Sequence, residues 1–520
     1  GVPVDYSTVT KRVAEDFLVY AEDDLNKRKL ERARRIADHL ATSMEKAQAE
    51  LRQMSDYPEK QLHFRRPVPF NLKIRDGAYY RVKQSPEVSR QSRDGQPVFL
   101  SGVYGYDYPV ADVPRMREYG FNTIATEIGP SSTVTGPGEK DVTDERINSF
   151  VLKALRSANV VGVSVMLMVS PHYFPQWAYR MYPEVKSCGY GILQYCVEHP
   201  QARKVLARHL RYLISKIRDE PALESYCLAN EPRFVERCDF TLKKFQNYLR
   251  NEFGEITRLN RIWKTSYSNF DDIPLPPENI QDIPIKYHWH TFRGLQIRDF
   301  FAWMKKIIRE EDPVHPVHIK FMMDEFISDE GRFGIDREAL GEITDVTGCD
   351  GGTSFPAPAG EYAGDFLTQS MFYDLLKSLQ PEKPIYNSEY HIIKDNDPIH
   401  YPGNYIRTAI WEGALHGQSA FAIWVWDRSE TDHEWRDNIL TRPEATESAG
   451  RTSLDLQRLA NYLVRFAQTT SHVALLHSRT SKLLSRTYLQ ELKKAYEGLN
   501  FLGIPVKFVT ERQARAGKLH

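Results

Sequence analysis

Eight short apolar runs, each followed by a longer amphipathic stretch, limit most strongly how this chain can fold. They are Val98 to Val103, Thr123 to Thr126, Val161 to Val169, Ser225 to Leu228, Val317 to Phe321, Asp345 to Cys349, Ile385 to Ser388 and Ala420 to Val425. A strand that is apolar on both faces must be covered on both, as in a parallel sheet wrapped by its own crossover helices. Eight such strand–helix units in 520 residues predict an α/β fold of the (β/α)8 TIM-barrel type rather than an open sheet. Barrels of this kind carry their reactive side chains where the strands end. Here those ends hold Tyr104, Glu127, His172, Asn230-Glu231, Asp324-Glu325, Ser354, Glu389 and Trp426.

Two of the ends matter most. Tyr226-Cys-Leu-Ala-Asn-Glu-Pro232 and Pro384-Ile-Tyr-Asn-Ser-Glu-Tyr390 each run apolar and then present a carboxylate. Cleaving a glycosidic bond takes two carboxyl groups, one to protonate the leaving oxygen and one to attack the sugar or activate water. The placement assigns Glu231 as general acid/base and Glu389 as nucleophile, with Asn230 donating to the sugar 2-hydroxyl. A retaining mechanism would set the carboxyl groups about 5–5.5 Å apart, an inverting one roughly 6.5–9.5 Å. The competing reading makes both of them rim carboxylates in salt bridges. Glu127, His172, Trp177, Tyr104, Trp424 and Trp426 are the expected substrate contacts. Three of these have a specific plainer alternative: pairing with arginine for Glu127, as for Asp107, a satisfied buried histidine for His172, and loop anchoring for Trp177. Asp324-Glu325 offers a sugar or metal site, or ordinary surface charge.

The flanks read differently. Leu25, Leu30, Ala33, Ile36, Ala37, Leu40 and Met44 recur at helical spacing among charged residues, which predicts a helix or helical hairpin packed on a larger body. Asp76-Gly77 between alternating residues predicts a small hairpin. Near the end, Ser471 to His477 and Ile504 to Val509 flank a helical stretch and form one βαβ unit. The expected organisation is a helical extension over 1–61, the catalytic barrel over 62–445, and a partial flavodoxin-like unit over 446–520. Two aromatic-rich insertions, 173–200 and 260–292, are expected to shape a cleft or to anchor themselves.

Lys plus Arg and Asp plus Glu both number 69, and this balance argues against a nucleic-acid partner. No run of 18 apolar residues occurs, so no membrane span is expected. Five cysteines without a C-x-x-C pair give no zinc signature, and a bridge from Cys188 to Cys196 or Cys238 stays open. No phosphate loop, H-E-x-x-H or Ser-His-Asp order is present, so neither cofactor nor metal is expected. The start at Gly1 without Met suggests processing or trimming, and a periplasmic or extracellular setting is favoured over the cytoplasm.

With these residues in view the chain resembles clan A glycoside hydrolases, and among them the family 42 β-galactosidases. Beyond the two glutamates, Tyr182-Pro-Glu-Val185, Phe245-Gln-Asn-Tyr-Leu-Arg-Asn-Glu-Phe-Gly254 and Leu259-Asn-Arg-Ile-Trp263 are similar to that family's segments. The chain departs from the family at Ile124-Ala-Thr-Glu127, where an arginine usually precedes the glutamate, and at Trp424-Val-Trp-Asp-Arg428. The resemblance implies a retaining, exo-acting hydrolase of β-linked oligosaccharides working by double displacement. It also implies a homo-oligomer formed through the C-terminal unit. The alternatives are an endo-acting clan A enzyme on a plant or algal polysaccharide, and a catalytically silent sugar-binding barrel.

Overall fold

A computed structural model describes residues 4–56, 66–82, 95–186, 190–323, 334–353, 362–395, 399–428, 438–469, 471–485 and 487–518. Its centre is a ring of parallel strands: β1 (Leu100–Tyr104), β2 (Thr123–Glu127), β3 (Ser164–Met168), β4 (Leu223–Cys227), β5, β6 (Thr347–Gly352), β7 (Ile385–His391) and β8 (Gln418–Trp424). β5 comes in two pieces, Val317–His318 and Phe321–Met322. The first piece pairs with β4 and the second with β6, and β8 pairs with β1, so the sheet closes on itself. Between the pieces Ile319 and Lys320 hand the pairing from one neighbour to the other. The chain is a TIM barrel.

Alternation along the strands sorts the side chains into two cores. Leu100, Tyr104, Ala125, Met166, Met168, Cys227, Tyr386, Ala420, Ala422 and Trp424 fill the barrel interior. Val103, Ile124, Val165, Leu167, Phe421 and Ile423 face the surrounding helices. On β1 and β8 the register Leu100↔Ala420 and Tyr104↔Trp424 sets a small residue beside a large one at the bottom and two aromatics at the top.

The Asp76-Gly77 turn forms as its sequence predicts. Both residues have positive φ (50° and 73°), which matches the hairpin to the strand twist. The hairpin Leu72–Arg75 and Ala78–Arg81 gains a third strand, Gln96–Val98, and closes the N-terminal mouth of the barrel. Tyr79 enters the interior core, and Ser419 Oγ donates to Gly77 O at 3.0 Å.

The N-terminal extension is a helical hairpin, α1 (Val4–Asn26) and α2 (Leu30–Asp56). Val9, Val13, Phe17, Ile36 and Leu40 bury against the body, while Leu25 and Leu30, at the turn, are exposed. α1 and α2 both pack on α3 (Pro443–Ala467). Thr10 Oγ1 donates to Glu447 at 2.7 Å, and Arg451 donates to Glu50 at 2.6 Å. α3 also packs on the helix Gly403–Leu415 and on β1, which makes it the last helix of the barrel wall. A boundary at 446 therefore falls inside α3, because the helix that follows β8 completes the barrel. Its approach is close: a Cβ on Gly450 would lie 2.0 Å from Tyr119 O, so only glycine fits there. The C-terminal unit holds two parallel strands, β9 (Val473–His477) and β10 (Val506–Thr510), with the helix Tyr488–Phe501 between them. β10 rests on the helix Tyr362–Leu379.

Past Tyr173, the aromatics described in both insertions serve as anchors for their own loops. In the first, Tyr195 is fully buried and stacks on Phe174 at 4.3 Å. In the second, Trp263 and Trp289 join Phe245, Phe253, Phe270 and Phe292 in a satellite core of their own. The aromatics there pack on each other.

Candidate active site

The site is built where β4, β5, β6 and β7 end. Glu231 stands four residues past β4 with φ at 36°, a left-handed conformation that costs a residue with a Cβ about 1–2 kcal/mol. Such strain persists where surrounding contacts impose it, and it concentrates at functional positions. Glu389 lies within β7, 5% exposed. Lys320, in the gap of β5 and fully buried, donates to Glu389 Oε2 and, at 3.0 Å, to Asn230 Oδ1. Its ammonium also sits 3.9 Å from the centroid of the Tyr104 ring. His391, two residues beyond Glu389 and so on the same face of β7, brings Nε2 to 3.4 Å from Glu389 Oε1 and 3.5 Å from Asp350 Oδ1.

These neighbours drive the two glutamates apart. Burial, and then the charge of Glu389, raise the Glu231 carboxyl above its ordinary range. Burial would raise Glu389 too, but Lys320 and His391 outweigh it and hold that carboxyl well below the usual value. For His391, burial is outweighed by Asp350 and Glu389, which push the imidazole up to about 9. Asp350 is pushed well above the carboxylate range by burial and by the charge of Glu389. One carboxyl is pushed toward keeping its proton and the other toward losing it, the separation from which acid and nucleophile roles follow.

A second polar group stands on β2 and β3. Glu127 accepts from Ser170 Oγ and, at 3.0 Å, from the Tyr173 hydroxyl. His172 Nε2 lies 3.8 Å from Glu127, and its ring lies tilted against Tyr173, the centroids 4.1 Å apart. Burial lowers its pKa, so His172 is neutral near pH 7. Trp424 forms a wall, its ring 4.8 Å from Tyr104 and its indole N–H donated to Asp395 at 3.1 Å. Tyr104 is the floor beneath Lys320 and Trp424, buried from the cleft.

Two expected contacts lie elsewhere. Trp426 is fully buried, donates its indole N–H to Asp112 at 2.8 Å, and packs edge-on against Tyr119 and Phe121. β8 ends at Trp424, so the alternation that puts Trp424 inward no longer governs Trp426, which turns into the outer core. Trp177 donates its indole N–H to Val134 O at 2.8 Å and lies under the Arg208 guanidinium, which is the loop-anchoring arrangement. Asp107 pairs with Arg146 at 3.0 Å on the surface. Asp324-Glu325, Ser354 and Cys188 fall outside the described residues.

Lys320, His391, Asp350, Ser170, Tyr173 and Asp395 were not anticipated. A signal existed for the first: a lysine inside the apolar run Val317 to Phe321 needs a buried anion. His391 follows from Glu389 by the period of two along a strand. As for metal ligation, Cys196, Glu236 and Cys238 bring donor atoms within 4.8 Å of one another, a set that suits a soft divalent ion. Cys196 and Cys238 are free thiols 2.8 Å apart. Asp350, Glu389 and His391 also cluster, but Lys320 supplies their cation.

A model of the family 42 glycoside hydrolases, described as beta-galactosidase, matches residues 111–464. The chain belongs to glycoside hydrolase family 42. Relatives include a beta-galactosidase of Geobacillus kaustophilus, 24% identical over 298 residues (52% of this chain, 42% of that one). Another is a beta-galactosidase of Heyndrickxia coagulans, 23% identical over 399 residues (68% of this chain, 56% of that one). The chain spans about half the length of the curated relatives it matches. Among solved structures, the family 42 exo-carrageenase of Bacteroides ovatus aligns with a TM-score of 0.77 at 22% identity. That match covers 97% of this chain and 73% of the other, so it takes in the N-terminal hairpin and the C-terminal unit as well as the barrel. No helix among the described residues is long and apolar enough to cross a membrane.

Proposed function

We propose that this family 42 protein is a retaining hydrolase of β-linked glycosides, with Glu389 as nucleophile and Glu231 as general acid/base. The observation that carries the reading is the pair of cations, Lys320 and His391, in contact with Glu389: they hold its carboxyl well below the usual range, while burial and the charge of Glu389 push Glu231 above it. In the first step a Glu389 oxygen bonds to the anomeric carbon as the glycosidic C–O bond breaks, and the Glu231 proton passes to the leaving oxygen. In the second, Glu231 takes a proton from water, the water oxygen bonds to the anomeric carbon, and the bond to Glu389 breaks. Asn230 supports both transition states through the sugar 2-hydroxyl. Its Oδ1 faces an ammonium, which can only donate, so the Nδ2 hydrogens are the ones left for substrate. Trp424, His172 and Glu127 form the wall and the hydroxyl contacts.

Glycone and chain length are parts of the same reading. The named beta-galactosidases and the exo-carrageenase favour exo action at a β-galactoside end, of an oligosaccharide or of a polysaccharide. A panel of aryl β-glycosides, lactose-type disaccharides and carrageenan oligosaccharides tests it: turnover of single-sugar aryl glycosides supports exo action, turnover of polymer alone supports endo action. Binding without any turnover identifies a silent barrel and ends the proposal. For the mechanism, Glu389→Ala should abolish turnover, with azide yielding a glycosyl azide of inverted configuration. Net inversion of product in the unsubstituted enzyme, read by proton NMR, overturns the assignment. A homo-oligomer through the C-terminal unit fits the exposed Leu476, Phe501 and Leu502, and light scattering decides it.

A further inference from the structure

Lys320 occupies an unusual place. It sits in the unpaired link of β5, is 0% exposed, and spends its donors inside the protein: on Glu389, on Asn230, and over the face of Tyr104. A buried ammonium is expensive unless it is paired and hydrogen-bonded. Placed here it touches both groups that the proposed reaction requires. It also fixes each in one state, because an ammonium in contact with a carboxylate favours the ionised form, and against an amide it selects the oxygen.

We infer that Lys320 is the positioning residue of the reaction, holding Glu389 as an anion and Asn230 as a donor and stabilising Glu389 as it departs in the second step. The inference rests on the reading of Glu389 as nucleophile. Attack on the sugar spreads the carboxylate charge into a bond, whereas hydrolysis of the glycosyl-enzyme returns that charge to the carboxylate. A fixed cation at Oε2 therefore assists the second step more than the first. Other groups face Glu389 as well: His391 from β7 itself, Asp350 from β6, Glu231 past β4, Asp395 beyond β7, Tyr104 from β1, and His172 and Tyr173 past β3. Cys227 from β4 also feels the charge of Glu389, and Glu127 and Cys227 both favour the cationic form of Lys320. His391 is the other cation in contact, but it is 29% exposed, at 3.4 Å, and shared with Asp350. Burial pulls Lys320 toward neutrality and the charge of Glu389 raises it back, so the ammonium persists across the working pH range.

The test compares the unsubstituted enzyme with Lys320→Gln, which keeps donors but drops the charge, and Lys320→Met, which drops both. The probe is a dinitrophenyl 2-fluoro-β-galactoside, which labels the nucleophile and then releases it slowly. Rates of labelling and of reactivation are read against pH, and peptide mass spectrometry locates the label. In the unsubstituted enzyme the acid limb of labelling should fall below about pH 4. In both variants it should rise by about one pH step or more, and reactivation should slow on the order of 100-fold, more than labelling does. No label on Glu389 overturns the nucleophile assignment and this inference with it. Label on Glu389 with an unmoved acid limb in either folded variant, or with reactivation no slower, overturns this inference alone. If near-ultraviolet circular dichroism shows that neither variant folds, the unsubstituted enzyme decides: an acid limb in the ordinary range, about 4–5, overturns it.

Discussion

Replacing Glu224 by glutamine should make this protein more stable, by an amount that depends on pH in a defined way. Glu224 lies on β4, 6% exposed, toward the barrel mouth that the hairpin closes. Its Oε2 accepts from Ser225 Oγ at 3.1 Å, while Oε1 has no partner among the described residues. Burial pushes the carboxyl up to about 8 from the 4.5 of an exposed glutamate. The fold therefore keeps a proton that the unfolded chain gives up above pH 4.5. Stability from this group is complete below that pH, drains away as pH rises, and is gone above the folded value near 8. Each pH step across the window costs about 1.4 kcal/mol, so the deficit at pH 7 is about 3 kcal/mol. Glutamine has the same shape and no proton to lose. Glu224→Gln should match the parent near pH 5, exceed it by about 3 kcal/mol at pH 7, and gain no more beyond about pH 8. With an unfolding entropy of roughly 2.1 cal/mol/K per residue, that is about 3 °C in Tm for a chain of 520 residues. Scanning calorimetry at pH 5, 6, 7 and 8 at one scan rate reads it. A Tm difference that does not change between pH 5 and pH 8, or a variant less stable at pH 8, would refute the reasoning.

Three further outcomes are expected. kcat/KM should fall on the alkaline side as Glu231 loses its proton above its raised pKa and on the acid side only well below pH 4.5, and Glu231→Ala should flatten the alkaline limb while slowing poor leaving groups far more than dinitrophenyl glycosides. Trp177→Ala should lower Tm but leave KM within about twofold, because the indole is spent on Val134; a tenfold rise in KM would return Trp177 to the sugar site. Arg428→Met should cost about 3–5 kcal/mol, read as a Tm loss of several degrees, because it strips the fully buried Asp24 of its 2.7 Å partner and leaves only Arg32; a loss under one degree would show the pair to be dispensable.

The barrel was readable because a strand buried on both faces leaves little choice of residue, and eight such runs at crossover spacing admit one closure. The two glutamates stood out for the converse reason: a charge directly after an apolar run is costly unless it is used. Lys320 was hidden by the same rule applied too coarsely. The run Val317 to Phe321 counted as an unbroken strand, whereas β5 breaks at Ile319-Lys320 and turns the lysine to the interior. Trp426 was misplaced because the apolar run was read as a strand to Val425, whereas β8 ends at Trp424. The aromatics of residues 260–292 carry no local sign of whether they meet a ligand or one another; the second turned out to hold. The boundary at 446 cuts α3 because the residues of that helix carry no local sign of whether it closes the barrel wall or opens the next unit.

The contacts between α1 and α3 also bear on how the protein is made. Thr10 and Glu447 meet across 437 residues of chain. At ribosomal rates of roughly 5–20 residues per second, α1 emerges about 20–90 s before the helix it binds exists. During that interval Val9, Val13 and Phe17 have no surface from α3 to cover them. The hairpin of α1 and α2 must wait as a marginal pair or be shielded by a chaperone, and it locks only when the last barrel helix arrives. A segment made well before the barrel is thus among the last to be secured, and a nascent chain stalled before residue 443 should present this hairpin to proteases while the finished protein does not.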